Sequence, residues 1–267
     1  MKPLALVSIA VRLCAVAVIL FACAAPRPSV TESRRPPAAW HPNTWKQSLM
    51  ARHEAWQQFE AGYKARWTDS LERVWRARVL VIASLPDRLR LEILTGLGQV
   101  QGLFVFDGTR ATLWIVPERV VYTSVRQGVL LEQLLGLRLP GTELAPTLLG
   151  LPSLDKLDGV VVRRLQDGTV VLDSGHGKPE PLRHIHLCED QERLCCMDFS
   201  DAGAPLSVLF QYGAKGPDRD IPTSLTFHSA TGMVELTRTF FRQPARVAPE
   251  TFEVPLPEGD VQVVEVP

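Results

Sequence analysis

The sequence lacks the patterns that announce most phosphate and hydrolytic chemistry. It has no glycine-rich phosphate loop, no Walker lysine, no nucleophile-elbow serine and no His-Glu-x-x-His pair. These absences argue against nucleotide hydrolysis, α/β-hydrolase chemistry and zinc proteolysis, so neither enzyme activity nor a cofactor is expected. Charge of one sign is not in excess either: 29 Lys and Arg stand against 29 Asp and Glu in 267 residues. The basic residues are scattered, so the electrostatic footprint of a nucleic-acid binder is missing and no nucleic-acid partner is expected. Long apolar runs are scarce as well. The acid-free stretch Leu4 to Ala22 is interrupted by Arg12, and Leu13 to Ala25 falls short of the about 20 apolar residues that span a bilayer. Asp173-Ser174-Gly175-His176-Gly177 holds three catalytic-triad residue types, but triads are assembled from distant positions and this Gly-flanked run reads as a loop.

What the N-terminus does contain is a short apolar segment carrying Lys2 and Arg12, the charge and length of an export signal. The tetrapeptide Leu20-Phe21-Ala22-Cys23 resembles a lipobox: Leu three positions before Cys, and a small residue directly before it. That resemblance implies cleavage before Cys23, acylation of its thiol with palmitate-type chains, and a membrane partner reached through the anchor. The alternatives are a retained membrane anchor, or a plainly secreted chain with Cys23 unmodified. Two or three acyl chains are needed for lasting attachment, since one binds only reversibly. Ala24 is not Asp, the residue that retains Gram-negative lipoproteins in the inner membrane, so the resemblance implies the outer membrane, facing the periplasm.

Ala24 to Pro42 reads AAPRPSVTESRRPPAAWHP, rich in Pro, Ala, Ser and Arg and poor in core-forming residues. Such a composition predicts a flexible tether, with Arg27, Arg34 and Arg35 solvated. The expected organisation is a signal over 1–22, a lipidated Cys and tether over 23–43, and a folded domain over 44–267.

Within that domain, residues 44–60 space Trp45, Leu49, Arg52, Trp56 and Phe59 three and four apart, predicting a helix with Thr44 as N-cap and Gly62 as stop. The period then switches to two, most clearly in Arg88-Leu89-Arg90-Leu91-Glu92-Ile93. Strand-like stretches follow at Tyr63 to Thr68, Val74 to Ser84, Leu103 to Phe106, Thr112 to Val116 and Arg119 to Val125, separated by Pro86-Asp87, Asp107-Gly108 and Pro117-Glu118. Gly128 to Leu137 and Thr142 to Leu151 return to helical, leucine-rich spacing. More strands are expected near Val160 to Arg164, Val170 to Asp173, Arg183 to Leu187, Leu206 to Tyr212, Ser224 to Ser229 and Met233 to Phe240, with Phe252 to Val266 along an edge. There is no internal repeat and no βαβ pattern. The expected fold class is mainly β (α+β): a curved antiparallel sheet of about eleven strands, an open half-barrel with a helical lid and an N-terminal helix.

The segment RHIHLCEDQERLCCMDF holds most of the soft ligands. His184, His186 and Cys188 alternate on one face of a strand, and Cys195 or Cys196 can return opposite them. Three readings remain open: a disulfide of Cys188 with Cys195 or Cys196 across the turn, as an oxidising compartment favours, a metal held by His184, His186, Cys188 and Cys196, or thiols left unpaired. With Cys23 acylated, the disulfide reading leaves one thiol unpaired.

The run LFVFDGTRATLWIVPERVVYT, the following LLEQLLGL and TELAPTLLGLP, and a late strand pair with an ETFEVPLPEG tail resemble the LolA/LolB-like family of periplasmic lipoprotein carriers. The resemblance spans residues ~45–260 in pattern. It implies a half-barrel whose apolar concave face takes up a lipid or lipoprotein ligand through its acyl chains, without bond-making. On this chain the concave face is expected to carry Leu89, Leu91, Ile93, Phe104, Phe106, Leu113, Ile115, Val120 and Tyr122. The competing reading makes these residues ordinary core under the leucine-rich helices, in a non-enzymatic interaction or sensor module. A metal-binding or redox lipoprotein using the His184 to Cys196 segment is a third reading. Carriers of the family also expose a hydrophobic loop to the membrane, which the sequence does not locate.

Overall fold

The computed structural model describes residues 42–137, 139, 141–153, 161–164, 170–173, 182–188, 193–201, 204–213, 219–255 and 261–266. The expected signal, Cys23, most of the tether and the Ser174 to Gly177 run lie outside them. Residues 41–267 form one compact unit.

The first element is helix α1, Pro42–Ala55, placed two residues earlier than the sequence suggests and ending well short of Gly62. Trp45, Leu49 and His53 recur every fourth residue and are buried, while most of the remaining side chains face water. The His53 ring Nε2 lies 2.7 Å from the Pro152 carbonyl oxygen, and Arg52 donates to the Asp220 carbonyl at 2.9 Å. Phe59 belongs to a strand instead, because Phe59, Ala61, Tyr63 and Ala65 alternate with polar or small residues at period two.

Among the described residues, fourteen strands follow in a single open, curved sheet. In chain order they are β1 (Gln58–Asp69), β2 (Val74–Ser84), β3 (Arg88–Leu94), β4 (Val100–Phe106), β5 (Ala111–Ile115), β6 (Val120–Ser124), β7 (Val161–Arg164), β8 (Val170–Asp173), β9 (Leu182–Leu187), β10 (Leu194–Asp201), β11 (Ala204–Tyr212), β12 (Pro222–Ser229), β13 (Gly232–Arg242) and β14 (Gln262–Glu265). Their spatial order is β14-β6-β5-β4-β3-β2-β1-β13-β12-β11-β10-β9-β8-β7. Two meanders thus join through the long pair β1 and β13, and every pairing is antiparallel except β14 on β6. The count exceeds the expected eleven partly because Leu194–Asp201 is not an expected strand and because Gln262–Glu265, within the segment expected along an edge, pairs as a strand of its own.

At the centre, the β1–β13 register shifts between Gly62 and Tyr63. Gly62 is required there, since a Cβ would collide with the Phe240 ring and the Thr239 hydroxyl. Between β6 and β7 the chain forms α2 (Gln127–Leu135), ended by Gly136 at φ 67°, and α3 (Gly141–Leu148). These helices cover the concave face; α2 sits so close that a Cβ on Gly102 would lie 3.3 Å from Leu134. After β13 the chain crosses the opposite face of the first meander. There Phe252, in a 3-10 turn at Pro249–Phe252, packs with Leu103 and Val105, and Arg90 donates to the Thr251 and Glu253 carbonyls at 3.0 and 3.2 Å.

Candidate functional site

In an antiparallel sheet, directly paired residues share a face. Register therefore sorts the nine expected concave residues. Leu91, Phe104, Leu113 and Tyr122 form one row across β3 to β6. Ile93, Gly102, Ile115 and Val120 form the next, and Leu89 with Phe106 and Ala111 a third. All nine face one side. Leu89, Leu91, Phe104, Phe106 and Leu113 are wholly buried, whereas Ile93, Ile115, Val120 and Tyr122 are half-buried toward the sheet margin.

Between sheet and helices lies an apolar cavity of about 20 Å³. Leu91 is the one expected residue that lines it. Its other walls are Val79 and Val81 of β2, Phe227 of β12, Val234 and Leu236 of β13, and Leu135, Leu137, Leu144 and Leu148 from the helices and their connection. Sequence reasoning missed these residues because a strand's period gives its face but not its partner. Only the leucine repeats of LLEQLLGL and TELAPTLLGL signalled that the helices would turn their apolar side to the sheet. The volume holds about one water molecule, so in this conformation the helix leucines fill the space an acyl chain would need.

Polar groups are few here. Glu143 and Thr147 on α3 are buried, and Tyr63 is buried on β1. The Tyr63 phenol is pushed well above the usual tyrosine range by burial, an effect partly offset by the Arg238 guanidinium.

Away from the concave face, Cys188 and Cys195 are disulfide-bonded, with S–S 2.06 Å, and Cys196 is free. Cys188 is thus withdrawn from the four-residue metal set. His186 pairs with Cys196 across β9 and β10, and the His186 Nε2 lies 3.8 Å from Asp198 Oδ2. Among the described residues no group of three or more His, Cys, Asp and Glu is arranged to hold a metal ion. His184 stands opposite Asp198 in register.

The turn Thr95 to Gln99, between β3 and β4, is closed by the Thr95 N–H donating to Gln99 at 2.9 Å and Gly98 to Thr95 at 3.0 Å. It holds Leu97 between two glycines and 90 % exposed. No helix among the described residues is long and apolar enough to cross a membrane.

No family model and no curated protein matches the sequence. Solved structures do match the fold. A domain named for outer membrane lipoprotein sorting, from Vibrio parahaemolyticus, superposes with TM-score 0.54 at 14% identity, over 78% of this chain and 94% of that one. A LolA superfamily protein from Nitrosomonas europaea gives TM-score 0.54 at 10% identity, over 78% and 97%. The fold is LolA-like. A DUF1329 family protein from Desulfovibrio piger gives TM-score 0.54 at 9% identity, over 79% and 96%. At these identities the LolA-like fold is shared but side chains are not, so the chemistry of the concave face has to be read from this chain's own residues.

Proposed function

We propose that this chain is an envelope lipoprotein that binds acyl chains of a lipid or of another lipoprotein between the sheet and helices α2 and α3, without making or breaking bonds. The observation that carries this reading is the composition of the cavity wall, in which all ten residues are aliphatic or aromatic, contributed by four strands, two helices and the connection between the helices. Shape agrees with it, because an open sheet covered by two short helices can widen by moving the helices without breaking a strand pair. Uptake requires that movement, since about 20 Å³ does not admit an acyl chain. Anchoring through Cys23 and residence at the periplasmic side of the outer membrane complete the proposal, with Leu97 as the apolar tip that meets a bilayer.

The test is native mass spectrometry of the exported Cys23→Ser chain, which cannot be acylated at that residue, together with titration of a fluorescent fatty acid. A retained acyl ligand at one per chain, or saturable probe binding, is the expected result. A clean unliganded mass with no probe binding would overturn it. The small volume of the cavity favours one rival, an interaction module whose helices are fixed core, and that negative result would support it.

A further inference from the structure

The outer face of the β1–β2 hairpin concentrates positive charge that acyl binding does not use. On β1, Lys64 and Arg66 alternate with the buried Tyr63 and Ala65, and on β2 Arg76 and Arg78 lead into the buried Val79. Register sets Lys64 directly opposite Arg78 and Arg66 directly opposite Arg76. Four cations therefore occupy two adjacent rows on the side away from the cavity, which Val79 lines. Like charges directly opposite one another cost a sheet stability, so folding alone gives no reason for the arrangement. One of the four is matched, Arg66 by Glu235 at 2.5 Å. Lys64, Arg76 and Arg78 have no carboxylate partner among the described residues, and the acids on the flanking strand positions are engaged, Asp69 by Arg73 and Glu92 by Arg90.

The patch is open to its surroundings. The segment that crosses this face after β13 packs over Ile82, Leu103 and Val105, whereas Lys64, Arg76 and Arg78, nearer the rim, are exposed. Apolar side chains border it. Val74 lies on the same face two residues before Arg76, and Leu71 and Trp75 stand exposed at the hairpin tip. The turn bearing Leu97 begins just beyond Leu94, whose partner Arg78 is the last residue of β2 to pair with β3 on that side. Cations bordered by exposed leucine, valine and tryptophan fit the boundary of an anionic bilayer, where headgroups meet the first and acyl chains the second. An acidic polypeptide would match the charge but leave the apolar border without a counterpart.

We propose that Lys64, Arg66, Arg76 and Arg78 form a docking face for the headgroups of anionic phospholipids, holding the hairpin rim against the bilayer. The face rests on the bilayer contact proposed above for Leu97, not on acyl binding, and it names the lipid charge which that contact selects.

The test is co-sedimentation of the exported Cys23→Ser chain with vesicles of phosphatidylcholine, alone or mixed with phosphatidylglycerol, at low and at high salt. Stronger binding to the anionic vesicles, weakened by salt, is expected. Arg76→Gln with Arg78→Gln should lower that binding about fivefold per charge, or about 25-fold for the pair. Two further pairs serve as controls. Arg88→Gln with Arg246→Gln removes the same charge from exposed positions near the opposite end of β2, where Arg88 pairs with Ser84 and Val247 bonds to Gln58. Arg76→Lys with Arg78→Lys keeps the charge, and both control pairs should bind as the parent does. Equal losses in the two glutamine pairs, or loss of binding in the lysine pair, overturns the face. Retention on polyglutamate without preference for anionic vesicles also overturns it and gives the patch to an acidic polypeptide. Equal binding of the parent to both kinds of vesicle overturns the face while the Leu97 contact stands; no sedimentation with either removes both.

Discussion

Cys196 sits on β10 with its sulfur 3.6 Å from both Asp198 Oδ1 and Ser207 Oγ. Burial, together with the Asp198 carboxylate and against the opposing Ser207 hydrogen bond, pushes its thiol up to about 11. A thiol held protonated is a poor nucleophile, so at pH 8 iodoacetamide is expected to label Cys196 roughly tenfold or more slowly in native protein than in urea. Equal rates would show an unperturbed thiol. The linkage has a definite sign: because the folded value is raised, this group's contribution is present below the ordinary thiol value and lost as pH climbs through about 11. Gly62 offers a second residue-scale check, since Gly62→Ala drives a methyl into the Phe240 ring and should lower stability by about 1–3 kcal/mol in denaturant titration. Neither effect was legible in the sequence. The Cys188 to Cys196 segment showed which thiols could meet, but Cys196's neighbours come from β11 and from register, and Gly62 read as a helix stop because nothing local reveals a bulge.

At the scale of elements, α3 is the part whose removal from the sheet should matter most. Leu144 and Leu148 are buried against the cavity, so Leu148→Ala is expected to cost about 2–5 kcal/mol and to leave a larger void. If the helices are the moving part, the same variant should take up a fluorescent fatty acid faster than the parent despite its lower stability. Uptake no faster than the parent's would mark α3 as fixed core. The helices were readable from their leucine spacing, and most strands from their alternation and turn dipeptides. Where the sequence misled, at residues 56–60, the cause was a run in which Trp56 and Phe59 satisfy helical spacing while Phe59 and Ala61 satisfy that of a strand. Only the pairing of Phe59 with Ala83 across β2 decides between them.

For the whole molecule, antiparallel order places the turns after β1 and β3 at the same rim. Leu71, Val74 and Trp75 in and beside the first, and Leu97 in the second, are exposed apolar side chains of that rim. The double variant Leu71→Glu, Leu97→Glu is expected to reduce co-sedimentation of the Cys23→Ser chain with anionic phospholipid vesicles about tenfold. Fold stability should change by no more than about 0.5 kcal/mol, because both sites are exposed. Unchanged sedimentation would place membrane contact elsewhere. The fold class was legible in the sequence, but the rim was not, since it depends on which strands lie side by side. The parallel strand β14 carries one more consequence. It covers the edge of β6, yet it is made after every other strand of the sheet. A chain emerging vectorially therefore holds the β6 backbone groups unpaired until its last strand is free, and slowing the release of that segment should favour strand exchange between neighbouring chains over completion of each one.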